Sequence, residues 1–202
     1  SLGEGFSFMK DAQDPMNTHG TIVRINTDGS IPADNPFADG EAGAPAVWSY
    51  GHRNVQGLYY DAATGTLYET EHGPKGGDEL NLVTPGTNYG WPEITYGVNY
   101  DGTIITNKTE AEGMAQPLTY WVPSIAPSGL VMLTSDVYPG WKGDLFTGGM
   151  NGPAGLELTR IDMENGEVVG KQSLFDGEYP IRDVVQGPDG HLYVATKDFD
   201  GI

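Results

Sequence analysis

The sequence predicts an all-β fold, specifically a β-propeller of four-stranded antiparallel blades. Helical periodicity is almost absent, and short runs rich in β-branched and aromatic residues alternate with Gly, Pro, Asn and Asp. One plan also recurs, an apolar strand, a polar turn with Gly, and a strand with an aromatic residue, in the segments 57–71, 129–149 and 183–198. Such repeats are typical of propellers, in which each blade is one repeat.

The spacing of the repeats indicates the size of a blade. Leu145-Phe146 and Leu192-Tyr193 lie 47 residues apart, within the roughly 40 to 50 residues of one four-stranded blade. Within the repeats, the remaining β-rich segments predict third strands at 79–83 and 158–162, and fourth strands near 88–92 and 167–174.

We therefore predict a single domain over residues 1–202, with two full blades at about 47–92 and 125–175 and a partial blade on each side. The segment 20–30 resembles the predicted third strands, so we expect the chain to open partway through a blade. Propellers close with about four to eight blades. The chain is therefore expected to cover an arc of a ring.

The charge of the chain excludes several classes of partner. There are 28 Asp and Glu against 10 Lys and Arg, a formal charge of −18, so nucleic acids and anionic membranes would be repelled. No apolar run approaches the ~18 residues of a membrane span, and the first residues do not read as a signal peptide. The absence of Cys excludes disulfides and thiolate metal sites, and it suits an oxidising compartment without establishing one. The expected location is periplasmic or secreted.

Arg53 and Asn54 are the first candidate binding residues. The guanidinium of an arginine presents a fixed fork of donors to carboxylates, and a neighbouring amide can bind a carbonyl. The pair therefore suits a planar ligand with several carboxylates. A salt bridge between blades is the alternative explanation for Arg53, and the dipeptide alone does not separate the two.

The segment 71–81, EHGPKGGDELN, is the candidate metal site. Its proline and glycines predict an irregular loop whose carbonyls need not pair in a sheet, and such carbonyls together with a carboxylate suit Ca²⁺ better than Mg²⁺. A solvated turn is the alternative. Phosphate-binding glycine loops, nucleophilic serine elbows and zinc helices are absent from the sequence, which argues against nucleotide binding, serine hydrolysis and zinc peptidase chemistry.

Several ordered motifs resemble those of the soluble quinoprotein sugar dehydrogenases, the glucose/sorbosone dehydrogenase-like family, and especially its aldose dehydrogenase branch. They extend from about residue 11 to residue 198 and occur in the family's order: YGHRNVQGL, ETEHGPKGGDELNLV, GTNYGWPEITYG, PSIAPSGL, GDLFTGGM and IRDVVQGPDGHLYV. The resemblance implies a six-bladed propeller, of which this chain would form about half. It also implies binding of pyrroloquinoline quinone (PQQ) and calcium, and oxidation of aldoses at C1 to lactones.

The resemblance assigns roles to named residues. Arg53, Asn54 and Arg182 match positions that contact PQQ, a tricarboxylate that an acidic protein would otherwise repel. From the residues alone, Arg182 could equally pair with a neighbouring aspartate such as Asp183 or Asp189. The implied partners are an aldose substrate and an electron acceptor that the sequence does not identify. A homodimer is one possible assembly, and the sequence does not fix the oligomeric state.

The calcium positions are likewise carried over from the family. The carbonyls of Gly73 and Pro74 match the ligands of the calcium that polarises the quinone. Glu79, with the backbone of Tyr89, resembles a second calcium position in the aldose branch. We expect these four residues to contribute the metal ligands.

Three departures from the family pattern bear on activity. Asn151 stands where a Lys is frequent, and Pro180 stands where a further Arg is usual. The family's general-base histidine belongs to a motif upstream of Ala12-Gln13-Asp14, so no catalytic residue is assigned within this chain. Two alternatives to the dehydrogenase are a noncatalytic propeller that binds calcium and carbohydrate, and a calcium-dependent lactonase-like propeller.

Overall fold

A computed structural model describes Gly3 and residues 8–151 and 155–197 of the chain. These residues form twelve β-strands and one short 3₁₀ helix, Met9–Gln13, and no α-helix. No helix among them is long and apolar enough to cross a membrane. The all-β prediction with antiparallel four-stranded sheets is thereby confirmed.

The strands are, in chain order, β1 Thr21–Val23, β2 Val47–Tyr50, β3 Val55–Asp61, β4 Thr66–Glu71, β5 Asp78–Val83, β6 Thr119–Trp121, β7 Pro127–Met132, β8 Leu145–Gly149, β9 Leu158–Glu164, β10 Glu167–Leu174, β11 Ile181–Gln186 and β12 Leu192–Thr196. They form two four-stranded sheets, β3-β4-β5-β6 and β7-β8-β9-β10, and two pairs, β1-β2 and β11-β12.

The first four-stranded sheet differs from the sequence expectation in its last strand. The predicted fourth strand at 88–92 is wrong, and the fourth strand is Thr119–Trp121, which pairs with β5. Gly90 has φ +87°, a conformation that interrupts a strand. The segment 88–92 turns instead, and the amide of Tyr89 donates to the carbonyl of Tyr50 at 2.8 Å.

The second four-stranded sheet follows the expectation closely, with its fourth strand at Glu167–Leu174. The strand β2 pairs with β1 and not with the first four-stranded sheet. We propose each four-stranded sheet as one blade, so the blades run over 55–121 and 127–174. The two-stranded pairs on either side are the proposed partial blades.

The first strands of successive sheets pack against one another, with β7 in contact with both β3 and β11. The strand β8 contributes to the core on both faces of its sheet, because successive side chains of a strand point to opposite faces. Leu145 and Phe146 are the example. Leu145 belongs to the cluster between the two four-stranded sheets. Phe146 belongs to the cluster against β11 and β12. Both side chains are fully buried.

A groove of about 770 Å³ separates the β1-β2 pair from the first four-stranded sheet. Its walls carry apolar side chains that are unusually open to solvent: Leu58 is 52 % exposed and Tyr60 is 60 % exposed. Leu82 on β5 continues the same wall.

Candidate functional site

The chain bends sharply between β4 and β5, over residues 72–77. Gly76 and Gly77 have φ of +80° and +75°, values that side-chain-bearing residues seldom adopt. At Gly73 a Cβ atom would lie 2.3 Å from the carbonyl oxygen of Gly76. Glycine is therefore required here for close approach of backbone to backbone, and the sequence GPKGG makes this bend possible.

Arg53 lies against this bend. Its side chain is almost fully buried, at 6 % exposure, and its guanidinium lies 5.3 Å from the centre of the Trp91 ring. The Nη1 atom donates to the carbonyl of His72 at 2.9 Å and to that of Gly73 at 2.8 Å. The predicted cofactor-binding arginine and a predicted metal-binding carbonyl are thus direct neighbours, and the guanidinium occupies one lone pair of that carbonyl.

A carboxylate from β4 fixes the backbone of the Arg53-Asn54 pair. Glu71 Oε2 accepts the N–H of Arg53 at 2.5 Å and the N–H of Asn54 at 3.1 Å. The side-chain oxygen of Asn54 accepts from Gln56 Nε2 at 2.9 Å. These two hydrogen bonds let Glu71 fix the backbone of both predicted cofactor contacts.

A large cavity of about 700 Å³ opens on the other side of the bend. This size falls within the ~300–1,000 Å³ of sites that bind small molecules and cofactors. It is lined by His72, Gly73, Pro74, Lys75, Gly76, Val98, Tyr100, Val122, Pro123, Ser124, Ala126 and Asn151. Tyr100 and Val122 form its open rim, with exposures of 68 % and 62 %. Predicted metal ligands therefore line a cavity that could accept a cofactor.

Two residues singled out by sequence lie close to this cavity. Asn151 lines it, and its amide Nδ2 donates to the carbonyl of Ser124 at 2.7 Å. Arg182 does not line it; its Nη1 lies 3.1 Å from the Met150 sulfur, beside Asn151. Residues 152–154, which belong to the segment where the family frequently has a Lys, lie outside the described part of the chain.

A cluster of acidic residues lies beneath the Arg53-Asn54 pair. Glu69 and Glu71 alternate on β4 and therefore share a face of the sheet, as do Glu79 and Asn81 on the adjacent β5. Asn81 Nδ2 donates to Glu69 at 2.8 Å and to Glu79 at 3.2 Å. His52 Nδ1 lies 3.6 Å from an oxygen of Glu69 and 3.6 Å from one of Glu71.

The close packing of the acidic side chains shifts their pKa values. Burial, together with the charge of Glu71, raises the pKa of Glu69 to about 7 and places the pKa of Glu79 well above its usual range. Burial alone would lower the pKa of His52, but Glu69 and Glu71 outweigh that effect and raise it to about 9. The carboxylates thus favour the protonated form of His52, while burial and mutual repulsion disfavour full ionisation of the cluster.

The cluster fits a divalent cation. His52, Glu69 and Glu71 each offer one ligand atom, and these atoms lie within 4.8 Å of one another. A cation that binds His52 Nδ1 displaces the proton from that nitrogen, because only the neutral imidazole has a free lone pair. Among the described residues, His52 Nδ1 and Glu69 Oε2 are buried atoms without a hydrogen-bond partner. Buried groups of this kind are normally satisfied, and an ion is one means of doing so.

Glu79 and Tyr89, the residues of the expected second calcium position, also meet here. They line a small cavity of about 10 Å³ together with Glu71 and Arg53. This is about the room of one water molecule, and it is far too small for an organic cofactor. The Tyr89 ring stacks on His52 with centroids 4.6 Å apart. The arrangement suits a single ion beside the larger cavity.

Sequence reasoning assigned no role to His52 or Glu69, and it included Glu71 only as the first residue of the candidate metal segment 71–81. Charged residues on a strand are ordinarily read as its solvent-facing side, yet Glu69 is fully buried and Glu71 is 4 % exposed. The available signal was the alternation Glu-Thr-Glu next to Glu-Leu-Asn on the following strand. In an antiparallel pair this pattern places acidic side chains opposite one another.

Comparison with known proteins identifies the family of the chain. Residues 1–202 match the family model described as Glucose / Sorbosone dehydrogenase. The aldose sugar dehydrogenase YliI of Escherichia coli K12 is 43 % identical over 195 residues, which is 94 % of this chain and 51 % of that protein. The chain therefore spans about half the length of this relative.

Two solved structures extend the comparison to three dimensions. A crystal structure of a glucose dehydrogenase superposes with a TM-score of 0.86 at 42 % identity, covering 93 % of this chain and 54 % of that one. The PQQ-bound aldose sugar dehydrogenase of Streptomyces coelicolor gives a TM-score of 0.71 at 32 % identity, covering 100 % of this chain and 51 % of that one. Taken with the match over its whole length, these likenesses show that the chain belongs to the glucose/sorbosone dehydrogenase family.

Proposed function

We propose that this chain forms part of a PQQ- and calcium-dependent dehydrogenase that oxidises aldose sugars at C1 to lactones. The observation that carries the proposal is the contact between Arg53 and the Gly73 carbonyl at the edge of the 700 Å³ cavity. This contact joins an anion-binding group to a cation-binding group, the combination that a tricarboxylate cofactor with a bound metal requires.

The proposed roles follow the family resemblance, since Gly73 and Pro74 line the 700 Å³ cavity whereas Arg53, Asn54 and Arg182 are not among the described residues that line it. The carbonyls of Gly73 and Pro74 hold the cofactor's calcium, and Arg53, Asn54 and Arg182 hold its carboxylates. Bound PQQ would supply the acceptor for the hydride that leaves the sugar C1. Glu79 and the backbone of Tyr89 hold a second calcium beneath the bend, where it would offset the charge of the acidic cluster.

The proton of the sugar hydroxyl is assigned to a histidine outside this chain. Among the described histidines, His72 lines the large cavity, but its Nε2 lies 2.7 Å from the carbonyl of Pro127, so this nitrogen is a donor. The proposal places the enzyme in the periplasm or outside the cell, with an electron acceptor that is not identified and with a monomer or a homodimer as its assembly.

The test is addition of PQQ and Ca²⁺ to the purified chain. Saturable uptake of PQQ that requires Ca²⁺, seen in the quinone absorbance, supports the cofactor site. A further change of that absorbance on addition of an aldose supports the dehydrogenase. Absence of PQQ uptake at millimolar Ca²⁺ would refute the proposed function for this chain.

A noncatalytic propeller that binds calcium and carbohydrate is the second candidate. Asn151 favours it, because its neutral amide donates to the Ser124 carbonyl and brings no charge to the cavity. Sugar binding without PQQ uptake, measured by calorimetry, would select this candidate.

The lactonase-like alternative is less well supported by the geometry. Such a site needs several acidic side chains around one metal with an open position for the substrate. The acidic residues do converge in this chain, but Glu69 and Glu71 are buried beneath the bend, away from solvent. Turnover of a lactone without a redox dye would overturn this argument.

A further inference from the structure

Asp78 is a buried carboxylate to which no role has yet been given. It is the first residue of β5 and its side chain is fully buried. The Oδ1 atom accepts the N–H of Gly73 at 2.9 Å. The Oδ2 atom accepts three further hydrogen bonds, from Ser124 Oγ at 2.7 Å, from the N–H of Ile125 at 2.8 Å and from the N–H of Ala126 at 2.9 Å.

These hydrogen bonds join two segments that are far apart in sequence. Gly73 belongs to the bend before β5, whereas 124–126 is the loop before β7, and both line the 700 Å³ cavity. The link continues to a third segment, since the carbonyl of Ile125 accepts the N–H groups of Met150 and Asn151 at 2.9 and 3.0 Å. Asp78 therefore lies at the junction of the walls of the cavity.

The loop is held in a conformation that its sequence does not favour. Ala126 has φ +52°, the left-handed region that residues with a Cβ seldom adopt. Its N–H is bonded to Asp78, and it also approaches Ser124 Oγ at 3.1 Å. A conformation of this kind persists only where surrounding contacts impose it, and Asp78 supplies the stronger of these two contacts.

We propose that Asp78 is a positioning residue, which sets the distance between the Gly73 bend and the 124–126 loop and thereby preorganises the cavity for a divalent cation and an anionic ligand. The inference rests on the proposed function for the nature of that ligand. A carboxylate is required because all four partners donate. The amide of an Asn would direct its own N–H groups at one set of these donors.

The test compares Asp78→Asn with a matched control, Asp144→Asn. Asp144 is also a buried carboxylate, at 2 % exposure, and it accepts from Arg160 Nε at 2.6 Å and from the N–H of Met163 at 3.1 Å. It does not line the 700 Å³ cavity. Both substitutions weaken the hydrogen bonds that a buried carboxylate accepts. Only Asp78→Asn affects a carboxylate that joins the Gly73 bend to the 124–126 loop beside the 700 Å³ cavity.

The first measurement is amide hydrogen exchange in the protein without added PQQ or Ca²⁺. We expect Asp78→Asn to accelerate exchange at Gly73, Ile125 and Ala126 by about tenfold or more, and Asp144→Asn to leave these amides near the wild-type rate. Equal acceleration in both variants, or none in Asp78→Asn, overturns the proposal. This result does not depend on whether the chain binds a cofactor.

The second measurement is the affinity for PQQ at fixed Ca²⁺. We expect a loss of about tenfold or more in Asp78→Asn and wild-type affinity in Asp144→Asn. If wild-type protein takes up no PQQ, the proposed function fails while the exchange result still decides the role of Asp78. Where Asp78→Asn does not fold, Ser124→Ala removes one donor and should accelerate exchange at Ala126 by about threefold; an unchanged rate there overturns the proposal.

Discussion

Replacing His52 by Gln should destabilise the protein in a manner that depends on pH. His52 is fully buried, its Nε2 lies 2.8 Å from Ser49 Oγ, and its Nδ1 faces Glu69 and Glu71 at 3.6 Å each. The substitution keeps a polar side chain but removes the positive charge. Removing one member of a buried ion pair costs roughly 3–5 kcal/mol, because the remaining charge loses its compensation.

The pH dependence follows from the proton that His52 holds in the folded state. Against the lowering effect of burial, Glu69 and Glu71 raise its pKa from 6.5 to about 9, so the stability that this proton contributes is complete below pH 6.5 and is lost as the pH rises toward 9. We expect His52→Gln to lower the free energy of unfolding by about 3 kcal/mol at pH 6 and by only about 1–2 kcal/mol at pH 8, since each pH unit corresponds to about 1.4 kcal/mol for one proton.

Urea denaturation followed by tryptophan fluorescence measures both losses. The control is His191→Gln, because His191 is 53 % exposed and pairs with Asp189 at the surface, where such pairs contribute little. The double variant His52→Gln/Glu69→Gln should be more stable than His52→Gln at pH 8, since it removes one unpaired carboxylate. A loss below about 1 kcal/mol at pH 6, or the same loss at both pH values, would show that His52 does not compensate these carboxylates.

Three further predictions concern binding and pH. Arg53→Ala should weaken PQQ binding by ~2–5 kcal/mol. The control is Arg160→Ala, which also removes an arginine lying over a tryptophan ring and should leave PQQ binding unchanged. Equal losses of PQQ affinity in the two variants would refute the assignment of Arg53. Calcium at 100 times its dissociation constant should stabilise the wild type by about 2.7 kcal/mol, and Glu79→Gln should lose much of this gain in thermal melts. In the wild type without calcium, stability should fall between pH 4.5 and about 9, because the pKa values of Glu69 and His52 are raised in the folded state; a flat profile contradicts this.

The strand pattern of the fold could be predicted because alternation of apolar and polar residues is a local property. The third strands at 79–83 and 158–162 follow from β-rich composition at the same offset in each repeat, and both segments lie within strands. The fourth strand at Thr119–Trp121 could not, since three residues carry too little pattern and its identity depends on pairing with β5. The segment 88–92 has strand-like aromatic residues, but Gly90 turns the chain there.

In the candidate site, too, the local features could be predicted from the sequence and the tertiary contacts could not. The bend of Gly73 and Pro74 could be predicted from composition, because glycine and proline restrict the backbone wherever they occur. The placement of Arg53 against that bend is a tertiary contact, which only the family resemblance indicated. The burial of Glu69 could not be inferred, because a strand of alternating charge does not reveal which of its faces is covered.

The groove beside the β1-β2 pair has a practical consequence for anyone who handles this polypeptide. The exposed apolar side chains of Leu58, Tyr60 and Leu82 favour association between molecules. The formal charge of −18 opposes this association, because like-charged molecules repel one another. Concentrated salt shortens the reach of that repulsion to about 3 Å at 1 M and strengthens apolar attraction where the salt is excluded from protein surfaces. Solubility should therefore decline in ammonium sulfate well before the fold is lost, and dilute buffers of low ionic strength are the better medium for storage.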